Sequence, residues 1–452
     1  MIFAKQAKLP GGWASDVRIE QTEGRITAVE PGQAPQASDQ RVDTLLPALG
    51  NLHSHSFQRA MAGMTEYRMA GKDSFWTWRE LMYRFTEHLT PEQIEAIAAF
   101  TFMEMQEAGY AAVGEFHYLH HQPGGAPYDD LGELSARIAA AAQTTGIGLT
   151  HLPVLYSYGG AGQQPLQAGQ ARFGNDVDRF NALVARAKAQ VAGLPADCRV
   201  GIAPHSLRAT APDDLNAVLA AHPSGPVHIH IAEQPQEVRD IESWLGARPV
   251  AWLLENVEVS ERWCLIHATH MTTAETTQMA RSGAVAGLCP VTEANLGDGP
   301  FNGPTYLEAG GAFGVGSDSN VLIGLAEELR TLEYSQRLRD VARNVMVTTE
   351  GSVGDALYTG AARGGAQALG RGAGEIAVGE WADLMAFDSS APALCALRQD
   401  QLLDGLVFAA KADVVTDVWS AGRHAVQGGR HKDREAITRA YRAALQGLMA
   451  AV

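Results

Sequence analysis

The sequence predicts an α/β protein in which a (β/α)8 barrel of TIM type carries a small β-domain built from both chain ends. Between residues of about 45 and 370, β-type apolar runs alternate with helical stretches, a pattern typical of repeated βα units around a parallel sheet. Eight such units over this length fit a closed barrel. Outside this region the chain shows short strands and turns, which indicates a second, smaller β-domain.

Candidate barrel strands occur at eight places, namely 44–49, 110–116, 146–155, 199–203, 226–232, 262–267, 283–288 and 312–316. Helical stretches separate them, including 91–108, 131–142, 177–192, 211–221, 272–282 and 326–340. In a (β/α)8 barrel, chemistry sits on residues at or just beyond the carboxyl ends of the strands. Functional residues are therefore expected at these strand ends.

Both chain ends contribute to the predicted β-domain. The first part offers strands at 16–20 and 25–30, and the last part offers strands at 374–379, 382–387 and 414–426. Neither end alone supplies enough strands to close a core, so we expect the two to form one domain. The predicted boundaries are 1–46 plus 371–432 for the β-domain, 47–370 for the barrel and 433–452 for a C-terminal helix.

Composition and charge exclude several classes of protein. Of the 452 residues, 46% are apolar, 19% charged and 7% aromatic, which argues against a disordered, collagenous or coiled-coil chain. The formal net charge of −16 argues against nucleic-acid binding, so any anionic substrate must be met by locally placed Arg or Lys. The 4 cysteines are widely separated and form no C-x-x-C pair, so neither a disulfide framework nor a thiolate zinc site is indicated.

The N-terminal residues lack the charged and apolar regions of a signal peptide. No run of about 18 consecutive apolar residues occurs in the sequence. We therefore expect a cytoplasmic protein that does not associate with a membrane.

Histidine and aspartate residues follow four of the predicted strands. His53 and His55 follow the first strand and, being two residues apart, can face the same side of an extended chain. His230 ends the fifth strand, His267 ends the sixth, and Asp318 follows the eighth. Imidazole nitrogen and carboxylate oxygen are common metal ligands. Their recurrence at one face of the barrel favours a metal site over a set of structural histidines.

This ligand pattern resembles the amidohydrolase superfamily, whose members carry H-x-H after strand 1, His after strands 5 and 6, and Asp after strand 8. Two-metal members bridge their ions with a lysine carbamate or a Glu near the end of strand 4. Here the fourth strand runs into Pro204-His205-Ser206-Leu207-Arg208, which has no lysine. The chain thus resembles the one-metal deaminase branch. That resemblance implies one divalent metal, with zinc expected, held by His53, His55, His230 and Asp318.

Longer segments are similar to one family within this branch, the formimidoylglutamate deiminases; they lie at 51–60, 73–83, 115–118, 205–209, 228–234 and 292–299. The resemblance implies a hydrolase acting on a carbon–nitrogen bond of a linear amidine. The implied reaction converts N-formimino-L-glutamate to N-formyl-L-glutamate and ammonia in histidine degradation. It further implies a small-molecule dicarboxylate substrate and a homodimer.

The resemblance also assigns roles to individual residues. Glu233 is expected to act as the general acid/base, His267 to hydrogen-bond the nucleophile or the tetrahedral centre, and Asp318 to orient the attacking water. Two arginines are expected in the binding site because a guanidinium binds a carboxylate in a two-pronged fashion that Lys cannot match. The expected substrate-binding residues are Gln58, Arg79, Tyr118, His205 and Arg208.

Two alternatives remain open. Another one-metal deaminase, acting on guanine or a thio-adenosine, would stack a flat base and would require aromatic or amide groups in place of paired arginines. A non-catalytic metal-binding scaffold would be marked by loss of a ligand or of the acid/base carboxylate, and here all of these residues are present. The sequence assigns no role to Asn320, and alternation along the strand places His228 on the same side as His230.

Overall fold

A computed structural model of the protein describes residues 1–67 and 74–450 and arranges its strands in three sheets. Asp73, the first residue of one family-like segment, lies outside the described residues. The strands are β1 (Ile2–Leu9), β2 (Gly12–Thr22), β3 (Arg25–Glu30), β4 (Gln40–Pro47), β5 (Leu49–Ser54), β6 (Tyr110–His117), β7 (Gly148–Leu155), β8 (Arg199–Val200), β9 (Ala203–Pro204), β10 (Val227–Ile231), β11 (Trp263–His267), β12 (Val285–Leu288), β13 (Ala312–Val315), β14 (Leu384–Phe387), β15 (Val415–Ser420), β16 (Arg423–Gln427) and β17 (Arg430–His431).

The α-helices are α1 (Phe75–Thr86), α2 (Pro91–Glu107), α3 (Glu133–Thr145), α4 (Val177–Val191), α5 (Pro212–Ala221), α6 (Pro235–Leu245), α7 (Pro249–Asn256), α8 (Thr273–Arg281), α9 (Pro290–Leu296), α10 (Gly303–Glu308), α11 (Leu325–Asp340), α12 (Val353–Ala368), α13 (Asp400–Phe408) and α14 (Arg434–Met449). Short 3-10 helices span Ser56–Met61, Pro123–Gly125, Ala168–Phe173 and Ala412–Val414. Among the described helices, none is both long and apolar enough to span a bilayer.

The predicted barrel is confirmed. Strands β5 to β8 pair in parallel, with β9 beside β7, and β10 to β13 form a second parallel run. Single parallel bridges join these two runs at both seams, Ile202 with Val227 and Ser54 with Asp318. The eight barrel strands are therefore β5, β6, β7, β8 with β9, β10, β11, β12 and β13. Strands such as β6 and β7 are buried along their whole length, as expected for parallel strands covered by helices.

The predicted first barrel strand at 44–49 is wrong in position. Residues from Thr44 to Pro47 belong to β4, which pairs in parallel with β1 and antiparallel with β14 in the other sheet. The barrel strand begins at Leu49 instead and continues to Ser54. A continuous apolar run crosses from one sheet to the other here, so hydrophobicity alone cannot mark the boundary.

The remaining sheet contains strands from both chain ends in the order β17-β16-β15-β14-β4-β1-β2-β3. Strand β4, from the first part of the chain, pairs with β14 from the last part. Of the predicted C-terminal strands, the segment 374–379 is not a strand in the structure. Gly374 and Gly379 both have a φ of +94°, which breaks the extended chain there. Helix α13, which the sequence analysis did not predict, follows β14.

A buried ion-pair cluster links this sheet to the barrel. Arg371, just after α12, donates from Nε to Asp383 Oδ2 at 2.6 Å and from Nη2 to Asp197 Oδ2 at 2.8 Å. Arg423 on β16 donates from Nη1 to Asp197 Oδ1 at 2.8 Å. The Arg371 and Asp197 side chains are each only 1% exposed. Removal of one partner would leave an uncompensated charge in the interior.

We expect Arg371→Met to lower the free energy of unfolding by about 3–5 kcal/mol, the cost of breaking a buried ion pair. Urea unfolding followed by circular dichroism measures this change. Arg363→Met is a matched control on α12, because the Arg363 side chain is 58% exposed and pairs with Glu375 near the surface. That change should cost less than about 1 kcal/mol, and equal effects of the two substitutions would contradict the importance of the buried cluster.

Candidate active site

The candidate active site lies at the carboxyl ends of the barrel strands. His53 lies near the end of β5 and His55 immediately follows that strand. His230 lies on β10, His267 ends β11, and Asp318 follows β13. All five side chains are buried. The structure therefore brings together the residues that the sequence predicted as metal ligands, with His267 beside them.

Four of these side chains direct nitrogen or oxygen atoms toward one point. His53 Nε2 lies 3.1 Å from His230 Nε2. Asp318 Oδ1 lies 3.3 Å from His55 Nε2 and 3.6 Å from His53 Nε2. One ring nitrogen from each of the three histidines lies within 4.8 Å of the others. Three imidazole nitrogens and one carboxylate oxygen form a donor set that zinc commonly binds in proteins.

Hydrogen bonds behind two of these rings turn their Nε2 lone pairs toward the shared point. His55 Nδ1 lies 2.8 Å from Phe116 O, and His230 Nδ1 lies 3.2 Å from His205 O. Because a carbonyl oxygen only accepts, each Nδ1 carries the proton and each Nε2 of the neutral ring is unprotonated. Unprotonated nitrogens directed at a carboxylate and at another imidazole nitrogen fit a cation held between them.

Burial keeps these groups in forms that suit a metal. It lowers the pKa of His55 to about 3 and lowers the pKa values of His53 and His230 well below the usual range, so the rings are neutral. Burial also raises the pKa of Asp318 to about 7, since the carboxylate is removed from water. A cation at this point would stabilise the ionised carboxylate. The donor set therefore fits a divalent metal.

A second group of potential ligand atoms belongs to His267, Cys289 and Asp318. Burial raises the pKa of the Cys289 thiol well above its usual value, whereas a metal binds the thiolate. His267 Nδ1 is also engaged by Glu293 Oε1 at 3.2 Å. This group therefore suits a metal less well than the three histidines with Asp318.

His267 lies among three carboxylates. Its Nδ1 contacts Glu293 Oε1, while its Nε2 lies 3.6 Å from Glu233 Oε1 and 3.8 Å from Asp318 Oδ2. Burial by itself lowers the pKa of His267, but Glu233, Glu293 and Asp318 together raise this pKa to about 10. The ring is thus a proton donor toward the cavity at neutral pH. Glu293 had no predicted role, because this residue lies on helix α9 and not at a strand end.

Two residues with no predicted role hold the surrounding frame. Asn320 Nδ2 lies within 3.2 Å of Ser54 Oγ, 3.1 Å of His55 O and 3.0 Å of Asp318 O. Asn320 therefore ties the segment after β13 to the end of β5. His228 Nε2 lies 2.8 Å from Ala368 O, so His228 joins β10 to the end of α12. Asn320 Nδ2 and His228 Nε2 thus contact the framework of the site.

A cavity adjoins the candidate metal ligands. Glu233, His267 and Asp318 line it, as do His55 and His230. The predicted substrate-binding residues also line this cavity, namely Gln58, Arg79, Tyr118, His205 and Arg208. The fully buried His53 lies behind this lining. One cavity therefore joins the candidate metal site to the predicted binding residues.

The cavity wall carries two guanidinium groups. Arg208 is buried, whereas Arg79 is partly exposed. The Trp76 ring lies 4.9 Å from Arg79 Cζ and 6.0 Å from Arg208 Cζ, within reach of cation–π attraction. Within residues 1–67 and 74–450, neither guanidinium has a carboxylate oxygen within 4.0 Å. Both positive charges can therefore meet an anionic ligand.

The other predicted binding residues adjoin the candidate metal ligands. Gln58 Nε2 donates to Tyr118 Oη at 2.7 Å, and the Tyr118 ring lies 4.9 Å from the His55 ring. The His205 ring lies 4.9 Å from the His230 ring. Burial and the nearby Arg208 lower the pKa of His205 well below its usual value, so this ring is neutral. These side chains can offer uncharged polar contacts to a ligand beside the metal site.

Comparison with known families agrees with this geometry. A model described as "Amidohydrolase family" matches residues 44–425, and one described as "Formimidoylglutamate deiminase HutF, N-terminal domain" matches residues 1–43. The formimidoylglutamate deiminase of Pseudomonas aeruginosa is 50% identical over 443 residues, covering 97% of each chain. The 5-methylthioadenosine/S-adenosylhomocysteine deaminase of Natronomonas pharaonis is 26% identical over 433 residues, covering 94% of this chain and 90% of that protein.

Two solved structures are also similar to this chain. An amidohydrolase from Brucella melitensis has a TM-score of 0.96 and 50% identity, with 99% of each chain covered. An adenosine deaminase from Xanthomonas campestris, solved with bound zinc, shares the fold with a TM-score of 0.81 at 22% identity, over 99% of this chain and 98% of that one. With a family model matching most of its length and a relative of 50% identity over nearly all of it, this chain belongs to the amidohydrolase family.

Proposed function

We propose that this protein hydrolyses N-formimino-L-glutamate to N-formyl-L-glutamate and ammonia, a step of histidine degradation. The observation that carries the proposal is a single cavity that joins a candidate metal site to two guanidinium groups. The substrate has matching parts, namely a formimino carbon that water must attack and two carboxylates that need cations. The 50% identity to the formimidoylglutamate deiminase of Pseudomonas aeruginosa supports the same activity.

His53, His55, His230 and Asp318 would hold one divalent ion, and we propose that it is zinc. When bound, such an ion lowers the pKa of a water ligand to about 7 and so supplies a nucleophile at neutral pH. Asp318 Oδ1 faces the histidines, which leaves Oδ2, 3.8 Å from His267 Nε2, on the side of the proposed acid/base residues. Asp318 would thus orient the attacking water through this second oxygen.

Glu233 is the proposed proton carrier of the reaction. It would take a proton from the attacking water and deliver it to the nitrogen that leaves as ammonia. Its backbone N–H donates to Glu237 Oε2 at 3.0 Å, which holds the turn after β10 in place. Protonated His267 would donate a hydrogen bond toward the oxygen of the tetrahedral centre, where negative charge develops. Collapse of that centre breaks the bond from carbon to the protonated nitrogen and leaves the formyl group.

Arg79 and Arg208 would bind the two carboxylates of the substrate. A charge-assisted pair with a guanidinium is stronger than a neutral hydrogen bond and can be two-pronged. In a protein of net charge −16, a dianion can be concentrated only by such a local positive region. Gln58, Tyr118 and His205 would contact the substrate close to the metal site. On the resemblance alone, we further propose a cytoplasmic homodimer, and sedimentation velocity tests its assembly state.

Deamination of guanine or a thio-adenosine is the alternative within the same branch. The two arginines argue against it, because a neutral base ring offers no anionic group to either guanidinium. A non-catalytic scaffold is opposed by Glu233 and His267, which lie beside the ligand set. Ammonia release from N-formimino-L-glutamate, guanine and 5-methylthioadenosine, measured side by side, distinguishes these functions.

We expect one equivalent of divalent metal per chain, measured by plasma mass spectrometry after gel filtration. His55→Ala and His230→Ala should each abolish both metal binding and activity, because each removes one of four ligands. His151→Ala is the matched control, since this buried histidine contacts Ser135 Oγ at 3.0 Å and is not among the ligand atoms. Two tightly bound ions in the wild-type protein would contradict the one-metal proposal.

Glu233→Gln should keep the metal but lower kcat by about 10² or more, the scale expected for removal of a general acid/base. The amide has nearly the same shape as the carboxylate but cannot carry the proton. Steady-state kinetics and metal analysis on the same preparation test this prediction. A rate near that of the wild type would assign the proton transfer to another group.

Arg208→Met should lower kcat/KM for N-formimino-L-glutamate by about 10² to 10⁴, since it removes charged hydrogen bonds worth roughly 1.5–3 kcal/mol each. Metal content should not change, because Arg208 is not among the ligand atoms. Analogues lacking one carboxylate should be poor substrates for the wild type, and the variant should discriminate against them far less. Normal turnover of the full substrate by the variant would mean that the carboxylates are bound elsewhere.

A further inference from the structure

Two tyrosines with no predicted role line the cavity together with Arg79 and Arg208. Tyr83 lies on α1, and Tyr156 directly follows β7. Arg79 Cζ lies 5.3 Å from the centre of the Tyr83 ring. The Tyr156 ring lies 4.6 Å from the His205 ring. Both phenols therefore belong to the part of the cavity that holds the proposed substrate-binding residues.

The fully buried side-chain amide of Gln170 contacts the hydroxyl groups of both phenols. Gln170 Nε2 lies 3.0 Å from Tyr156 Oη and 3.3 Å from Tyr83 Oη. Gln170 Oε1 accepts a hydrogen bond of 2.8 Å from the backbone N–H of Gln167. Because a backbone nitrogen can only donate, this contact fixes which end of the amide faces the phenols. The NH₂ group faces the two phenol oxygens and also Gly159 O, 3.3 Å away. Because an amide nitrogen only donates, neither phenol can give its proton to Gln170.

The phenol protons are left for another partner. A phenol carries one O–H donor, and its oxygen can accept at the same time. Within the described residues, 1–67 and 74–450, neither phenol donates to a protein acceptor. Burial and the neighbouring Tyr156 raise the pKa of Tyr83, which keeps that phenol a donor. Both hydroxyl protons are thus available toward the cavity.

The chain around Gln170 is shaped to hold this arrangement. Gln170 lies in the 3-10 helix Ala168–Phe173, beside Gly169. A Cβ at Gly169 would lie 2.7 Å from the Cβ of Tyr83, and a Cβ at Gly159 would lie 2.8 Å from Gln170 Oε1. Both glycines permit close approaches that a larger residue would prevent. Packing therefore restricts the amide and the Tyr83 side chain.

A buried carboxylate needs more donors than one guanidinium supplies. Each ionised carboxylate has about four lone-pair sites, and a two-pronged guanidinium occupies two of them. A carboxylate lone pair that is buried away from water without a hydrogen-bond donor costs free energy. Two phenol protons beside Arg79 and Arg208 match the remaining sites of one carboxylate.

We propose that Tyr83 and Tyr156 donate hydrogen bonds to one carboxylate of the substrate, and that Gln170 is a positioning residue that turns both hydroxyl protons into the cavity. This inference rests on the proposed function and adds specificity-determining residues to it. In this proposal the protein distinguishes dicarboxylate from monocarboxylate amidines partly through uncharged hydrogen-bond donors. Gln170 acts only through the phenols and does not touch the substrate.

Tyr156→Phe and Tyr83→Phe test the contact directly. Each should raise KM for N-formimino-L-glutamate by about 10-fold or more while kcat changes less than about twofold, because the lost contact is to a carboxylate and not to the reacting carbon. Two analogues identify the carboxylate, N-formimino-4-aminobutyrate without the α-carboxylate and N-formimino-L-2-aminobutyrate without the side-chain carboxylate. Only the analogue that keeps the contacted carboxylate should lose kcat/KM in the variants. Equal losses for both analogues would overturn the proposal.

Gln170→Glu tests the positioning role. The new carboxylate can only accept, so both phenols would donate to it and their protons would turn away from the cavity. KM should rise at least as much as in Tyr156→Phe, with kcat retained. In a Tyr83→Phe/Tyr156→Phe background the same change should have little further effect, since residues acting through one another are not additive. Full additivity would show that Gln170 acts by another route.

Tyr358→Phe is the matched control for loss of a buried phenol. Tyr358 Oη donates to Pro47 O at 2.8 Å and is not part of the cavity lining. This variant should lower the Tm without changing KM. If the wild type releases no ammonia from N-formimino-L-glutamate, the proposed function itself fails. If the wild type is active and both cavity Tyr→Phe variants keep KM within twofold, only the present inference is overturned.

Discussion

The seam that closes the barrel is the constraint on which the site depends. His55 N donates to Asp318 O and Asp318 N donates to His53 O, both at 2.9 Å, so backbone pairing at this seam aligns three of the proposed ligands. The seam is tight, because a Cβ at Gly316 would lie 2.7 Å from the backbone nitrogen and oxygen of His53. Asp318 also has a φ of +45°, a conformation that costs a non-glycine residue free energy. The backbone pairing that closes the barrel therefore also positions His53, His55 and Asp318.

The acidic and the basic groups of the cavity have different neighbours. His267 contacts or adjoins the Glu233, Glu293 and Asp318 carboxylates, next to the proposed point of water attack. Arg79 and Arg208 lie near the Trp76 ring, and among the described residues neither guanidinium has a carboxylate oxygen within 4.0 Å. If the acidic cluster paired with the arginines, both groups would be neutralised. Aromatic support keeps the positive charges available while the chain as a whole is strongly acidic.

The sequence predicted the barrel and the site residues at its strand ends because the position of a residue in a βα unit determines which face of the barrel it reaches. His230 and Asp318 could therefore be proposed together although they lie far apart in the chain. Gln170 could not, because it lies on a long connection whose path no periodic pattern describes. Tyr156 directly follows β7, so the strand-end rule could have found it. The first barrel strand was misplaced for a related reason, since the apolar run through Pro47 serves two sheets in succession.

The sheet made from both chain ends also affects how the protein can be synthesised. Strand β4 needs β14 as its partner, yet the entire barrel is translated between the two. At about 5–20 residues per second, the nascent chain carries an unpaired β4 edge for tens of seconds. Unpaired edges are templates for intermolecular association. The β4 edge therefore lacks its β14 partner while the barrel is being translated, and a slow or paused ribosome would prolong this interval.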